Sequence, residues 1–183
     1  MFTEAFALSE DFRKHSAKIN ITFTKDIFQH QKLRIKMNKD NKIILFLVDD
    51  DALFLKSLEI EFSEHPKFAI ETFATGELCL ERLQNKFDKP EIIVLDYNLD
   101  GISKNAMNGM ETLDKIKAKD PKMPVIMLSS QDKIDIAIDC MHRKASDYIV
   151  KSETAFVRLQ ASMENIFKYQ RVHKELSWYM DRM

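Results

Sequence analysis

The sequence has no uninterrupted apolar run approaching the ~20 residues needed to cross a bilayer. It has no long basic block either, its lysines and arginines being largely interspersed with acids. A membrane span is therefore not expected. Nor is a nucleic-acid surface, since a formal net charge of -1 provides no field to attract a polyanion. Cysteine is scarce: Cys79 and Cys140 stand far apart in apolar helical patterns, with no second Cys or His at metal-ligand spacing. Both are predicted to be buried, reduced thiols. The N-terminal stretch carries Glu4, Glu10 and Asp11 and lacks an apolar core with a small-residue cleavage site. No secretion or transit signal is expected, which makes the cytoplasm the default compartment. The 183 residues leave room for one well-buried domain and a few dozen residues more, but not for a second catalytic domain.

What is present is a strict alternation of strand-like and helix-like segments. Ile43 to Val48 is an unbroken β-branched and apolar run, the pattern of a strand covered on both faces. Ile92 to Leu95 and Val125 to Leu128 read the same way, Phe68 to Phe73 alternates, and Tyr148 to Val150 is a short final run. Between them lie helical stripes: Phe54, Leu58, Phe62; Leu80, Leu83, Phe87; Met110, Leu113, Ile116; and Ile134, Ile138, Met141. A last helix is predicted from about Phe156. Right-handed crossovers turn this alternation into an α/β fold, a doubly wound five-stranded parallel sheet with helices on both faces. Thr75, Asn108 and Ser152 stand where N-caps are wanted, and Glu111 completes a capping-box pattern with Asn108. Pro90, Pro121 and Pro124 fall in connections.

Ligands of such sheets sit beyond the carboxyl ends of the strands, so the residues that end the strands matter most. Strand one ends in Asp49, Asp50 and Asp51, strand three in Asp96, strand four in Ser129 and strand five in Lys151. Crowded carboxylates raise one another's pKa, a cost that a cation relieves. A few hard oxygen ligands with waters left over suit Mg2+ beside phosphate better than a caged Ca2+. A lysine charge and a hydroxyl beside that ion would stabilise a phosphoryl group in transfer, with one carboxylate as nucleophile.

Together, the acid cluster in FLVDDDA, the strand-ending VLDYN, the hydroxyl in VIMLSS and the lysine in ASDYIVK resemble the response-regulator receiver family of two-component signalling. The resemblance covers about residues 42 to 167, and implies a flavodoxin-like strand order of 2-1-3-4-5. It implies Asp96 as phospho-acceptor, Asp50 as direct Mg2+ ligand, Asp49 as a ligand through water, and the backbone carbonyl of Asn98 as a further ligand. It also implies Ser129 as the switch hydroxyl, Lys151 as the ion-pairing lysine and Tyr148 as the switch aromatic. Phosphorylation would draw Ser129 inward and Tyr148 after it, changing the surface of helix four and strand five. The implied partners are a sensor histidine kinase or a histidine phosphotransfer protein upstream, and an unidentified protein downstream. Such a receiver takes part in its own phosphotransfer without being an enzyme with an external product.

The sequence also departs from the family pattern. Asp100 stands where the family has proline, and the next matching glycine is Gly109, which lengthens the intervening loop. Ser152 replaces the proline whose cis bond follows the lysine. A non-proline cis bond costs roughly 2.5 to 4 kcal/mol, so a trans peptide and a less certain approach of the lysine are expected. Lys144 replaces a helix-ending glycine, which implies either mild strain or a shifted helix end. These marks of divergence keep a second reading open, a phosphorylation-independent receiver-like interaction module. Two other resemblances fail. The DxNxDG run from Asp96 to Gly101 begins like an EF-hand loop, but its twelfth position is Met107, where a bidentate Glu is required. A haloacid-dehalogenase phosphatase would need its second Asp at Asn98.

Residues 1 to 41 contain only small apolar clusters, around Ile19 to Phe23 and at Ile27 and Phe28, and are expected to be a poorly ordered or partly structured arm. Met37 lies just before the first strand and is an expected alternative start. Beyond residue 167, Tyr169, Val172, Leu176, Tyr179 and Met183 keep a 3,4,3,4 spacing in an extension of the last helix. Either this stripe folds back on its own domain or it pairs with another chain. In the second case the partner is a homodimer's second copy or another protein, and the helix-four and strand-five surface is the alternative homodimer contact.

Overall fold

The computed structural model describes residues 42–85, 88–99 and 106–182. The chain divides into two units, Met1–Lys42 and Ile43–Met183. The expected arm over residues 1 to 41, with Met37, lies outside the described residues, as do Phe87, Asp100, Gly101 and Met183.

The second unit alternates as expected: β1 (Ile43–Val48), α1 (Ala52–Ser63), β2 (Phe68–Phe73), α2 (Gly76–Arg82), β3 (Ile92–Asp96), α3 (Gly109–Lys119), β4 (Val125–Ser129), α4 (Ile134–His142), β5 (Asp147–Val150) and α5 (Ala155–Met180). All strand pairs are parallel, in the order β2-β1-β3-β4-β5. The central strands are apolar throughout because each buries both faces. Phe46, Val48, Ile93, Leu95, Val125 and Met127 pack with Cys79, Leu113, Ile116 and Cys140 beneath α2, α3 and α4. Their alternates Leu45, Leu47, Ile92, Val94, Ile126 and Leu128 pack with Leu58, Phe62, Leu159 and Met163 beneath α1 and α5. Period-two alternation thus sorts each strand between two cores, and truncating any of these leucines to alanine costs about 2–5 kcal/mol.

Helix ends decide how the strand termini are presented. The Asp51 carboxylate caps α1, accepting from the N–H groups of Leu53 and Phe54. Thr75 caps α2, and Asn108 with Glu111 forms the complete capping box of α3. The α4 end resolves the Lys144 alternative in favour of strain. Lys144 has φ 67°, and the bonds Lys144 N–H to Met141 O and Ala145 N–H to Cys140 O form a Schellman motif with lysine in the glycine place. A side chain in this left-handed region costs on the order of 1 kcal/mol.

Three sequence expectations need correction. Ser152 does not cap α5; Thr154 holds that position without a side-chain cap bond, and the Ser152 carbonyl accepts from Ala155 N–H in the turn before it. The stripe Ile134, Ile138 and Met141 faces outward, 76%, 48% and 48% exposed, while Cys140 and Ile136 face the core. Helical α2 ends at Arg82, with Leu83 as its C-cap, so of the stripe's described residues only Leu80 lies within the helix. At the other end, α5 continues without a break to Met180. Tyr169, Val172, Leu176 and Tyr179 remain exposed, with no fold-back. No helix among the described residues is long and apolar enough to cross a membrane.

Candidate functional site

The carboxyl ends of β1, β3 and β5 bring one charge cluster together. Asp49, at 0% exposure, follows β1; Asp96, at 2%, ends β3; Lys151 follows β5. The Lys151 ammonium lies 2.8 Å from Asp49 Oδ2 and 3.0 Å from Asp96 Oδ2. All described peptide bonds are trans, the one before Ser152 included, so the lysine reaches both carboxylates without the family's cis turn. The doubt that Ser152 raised about its approach is thereby removed.

Asp49 Oδ1 accepts the Asp51 N–H at 3.0 Å, fixing the carboxylate so that its other oxygen meets the ammonium. Asp50 is half-exposed beside it, and carboxylate oxygens of Asp49, Asp50 and Asp96 lie within 4.8 Å of one another. Asp51, the third acid of the run, is exposed and serves as helix cap.

Burial and mutual repulsion set the electrostatics. Desolvation, then the charge of Asp49, push the Asp96 carboxyl up to about 6, although Lys151 and the Asn98 backbone N–H pull the other way. Burial likewise raises Asp49, against the opposing pull of Lys151. For Lys151, burial disfavours the charge, but the close contact with Asp49 and the field of Asp96 more than reverse it and raise its pKa. Asp96 Oδ1 is buried and accepts no hydrogen bond, and Asp49 Oδ2 meets the ammonium without a well-directed one. Buried oxygens left unsatisfied are rare and costly. Three clustered carboxylates, two of them with a buried oxygen that lacks a well-directed hydrogen bond, fit a small, hard divalent cation.

Ser129 ends β4, on the strand next to Asp96, fully buried, with its Oγ accepting the Gln131 N–H at 3.0 Å. Tyr148, half-buried on β5, donates its hydroxyl to the Gln131 carbonyl at 2.5 Å. Asn98 contributes its backbone N–H toward Asp96. Two residues at this end have contacts that the sequence reading did not give them. Phe54, read there as core stripe, lies with its ring centroid 4.6 Å from Lys151 Nζ. Gly109 abuts the backbone that follows Asp96: a Cβ there would stand 2.1 Å from the Asp96 carbonyl oxygen. An aromatic four residues past the acid pair and a glycine opening α3 were the available signals.

The comparisons with known proteins agree with this geometry. The family model "Response regulator receiver domain" matches residues 45–163. The chain belongs to that family. It is 34% identical over 111 residues to the chemotaxis protein CheY of Listeria monocytogenes, covering 60% of this chain and 87% of that one. It is 36% identical over 113 residues to a protein-glutamate methylesterase/protein-glutamine glutaminase of Bacillus licheniformis, spanning 60% of this chain but only 29% of that relative's length. Among solved structures, the CheY in a CheX-CheY-BeF3-Mg2+ complex from Borrelia burgdorferi matches with a TM-score of 0.60 at 26% identity, over 68% of this chain and 89% of that one. The receiver domain of a LuxO repressor from Vibrio parahaemolyticus, at 22% identity and a TM-score of 0.63 over 74% of this chain and 97% of that one, shares the fold. Two-component signalling receivers are thus the class to which the fold and the strand-end residues point.

Proposed function

We propose that this receiver is a phosphorylatable switch of a two-component system or phosphorelay in the cytoplasm. Asp96 accepts a phosphoryl group from a sensor histidine kinase or a histidine phosphotransfer protein, and the altered state passes to a downstream protein by contact. The observation that carries this reading is the Lys151 ammonium held between Asp49 and Asp96, at 2.8 and 3.0 Å, while Asp96 Oδ1 lies buried without a partner.

Asp50, Asp96 and the Asn98 backbone carbonyl would hold Mg2+ directly, and Asp49 through water; the ion supplies charge neutralisation for the transferred group. An Asp96 carboxylate oxygen forms the new O–P bond as the donor's bond to phosphorus breaks and the leaving group departs with its electron pair. Lys151 neutralises phosphoryl oxygens as they approach. The Ser129 hydroxyl turns from the Gln131 N–H to donate to the phosphoryl group, and Tyr148 follows it. The readout surface lies on α4 and β5, where exposed Ile134, Ile138 and Met141 offer an apolar face to a partner or a second copy.

Incubation with acetyl phosphate and Mg2+, followed by phosphate-affinity electrophoresis, tests the proposal. A shifted, acid-stable and base-labile band absent from Asp96→Asn is the expected result. No band, together with no beryllofluoride binding, would replace it with a phosphorylation-independent interaction module.

A further inference from the structure

The Lys151 ammonium has a third contact besides its two carboxylates. Its Nζ stands 4.6 Å from the centroid of the Phe54 ring, inside the ~6 Å range of a cation–π interaction. The Lys151 side chain is only 12% exposed, which places the contact in the desolvated regime where such attraction is strongest. Phe54 is itself well fixed. Its N–H is bonded to the Asp51 carboxylate in the first turn of α1, and its ring stacks on Phe156 of α5, with centroids 6.1 Å apart and planes 17° apart. The aromatic pair thus joins the two helices that begin beside the acid run and beside Lys151.

This contact differs in kind from the other two. Asp49 and Asp96 are the groups that a divalent cation and a phosphoryl group would recruit, so their hold on the lysine weakens during transfer. The face of an aromatic ring binds neither, and its hold on the ammonium persists. Without that hold, a long lysine side chain regains rotamer freedom when the carboxylates are engaged elsewhere.

We propose that Phe54 is a positioning residue for Lys151, and that the charge distribution of its ring, rather than its bulk, keeps the ammonium beside Asp96 through phosphoryl transfer. The inference rests on Asp96 as phospho-acceptor. It is tested by the initial rate of phosphorylation of the full chain by acetyl phosphate at saturating Mg2+, in wild type, Phe54→Leu and Phe54→Tyr, with Mg2+ affinity measured by calorimetry on each. Leucine keeps apolar bulk and loses the π face; tyrosine keeps the face. Phe54→Leu is expected to slow phosphorylation about fivefold or more. Phe54→Tyr is expected to recover most of that rate, and Mg2+ affinity to stay within about twofold in all three. Wild-type rate in Phe54→Leu, a Phe54→Tyr rate as low as that of Phe54→Leu, or a parallel loss of Mg2+ affinity overturns the inference and leaves the ring a packing role. If the wild type is neither labelled nor bound by beryllofluoride, the phospho-acceptor reading fails and this inference with it, whereas a labelled wild type matched by Phe54→Leu removes this inference alone.

Discussion

The hydroxyl of Tyr148 donates to the backbone carbonyl of Gln131 at 2.5 Å, tying β5 to the loop that follows β4. The N–H of the same Gln131 is held by Ser129 Oγ at 3.0 Å. The two proposed switch residues are therefore coupled through one loop residue, and moving Ser129 releases the segment that carries the tyrosine's acceptor. Tyr148→Phe should cost roughly 0.5–1.5 kcal/mol of stability, the usual net worth of one hydrogen bond, and leave phosphorylation of Asp96 intact. Hydrogen exchange at residues 130–133 should quicken in the unphosphorylated variant, and the change on phosphorylation should shrink. An exchange response equal to that of wild type would show that the loop moves without the tyrosine.

Charge crowding gives the site a pH signature. The Asp96 carboxyl titrates at about 6 in the folded protein against an ordinary 3.8, chiefly because it is buried. The folded state therefore binds this proton more tightly than the unfolded state does. Its stabilising contribution is complete below about pH 3.8 and is lost as the pH rises through 6. Above that window the ionised group costs on the order of 3 kcal/mol in the metal-free protein. Asp96→Asn should accordingly stabilise metal-free protein by roughly 1–3 kcal/mol at pH 7.5, with the gain shrinking toward pH 4. Urea unfolding in EDTA at both pH values measures it. Added Mg2+ should narrow the gap at pH 7.5 by stabilising the wild type more. Equal stability of the two proteins at pH 7.5 would show that the carboxylates are not under strain.

Gly109 and Gly76 separate damage to the site from damage to the fold. The atoms nearest a Cβ on Gly109 would all be backbone: 2.1 Å to the Asp96 carbonyl oxygen, 2.7 Å to Tyr97 Cα and 2.8 Å to Tyr97 O. A Cβ on Gly76 would meet the Thr112 side chain, 2.1 Å from its Oγ1. Both alanine variants overpack and should lose about 1–3 kcal/mol or more. Gly109→Ala must also displace the backbone that carries Asp96, and should slow phosphorylation severalfold at a temperature where the protein is fully folded. Gly76→Ala should not. Equal phosphorylation rates in the two variants would mean that the start of α3 does not position the acceptor.

Strand identity and the strand-end residues were legible because parallel strands buried on both faces must be apolar throughout, while the chemistry of such sheets collects at their carboxyl ends. Asp49, Asp96 and Lys151 converge as those rules require. Helix facing was harder to read. Ile134, Ile138 and Met141 share one side of α4, and the spacing defines an apolar face without saying whether sheet or solvent meets it; Cys140 and Ile136 take the inner side. Lys144 sits in a glycine position because the Schellman bonds and the strand that follows fix the backbone there whatever its side chain prefers. Phe54 went unread as a site residue because a ring over an ammonium leaves no spacing pattern in sequence. The same geometry explains why Ser152 does less harm than its position suggested: Lys151 is aimed by Asp49, Asp96 and Phe54, not by the turn after it.

Tyr169, Val172, Leu176 and Tyr179 are 71%, 55%, 57% and 63% exposed along a helix that outruns the sheet. Near Tyr169 the helix borders a groove of about 1080 Å3, lined by Pro90, Pro124, Ser162, Ile166 and Lys174 among others and set at the amino ends of the strands, away from Asp96. An apolar stripe of this kind on a charged helix loses free energy by facing water, and burying it in a partner recovers on the order of 25 cal/mol per Å2. Residues 171–182 are exposed throughout, so deleting residues 170–183 should change the melting temperature little and leave acetyl-phosphate labelling of Asp96 unaltered. It should lower the light-scattering mass where wild type self-associates, or weaken binding where the partner is another protein. Leu176→Lys should do the same without shortening the chain. If mass and partner affinity are both unchanged in both variants, the extension does not mediate association, and the outward face of α4, with Ile134 and Ile138, becomes the surface to test by the same pair of measurements.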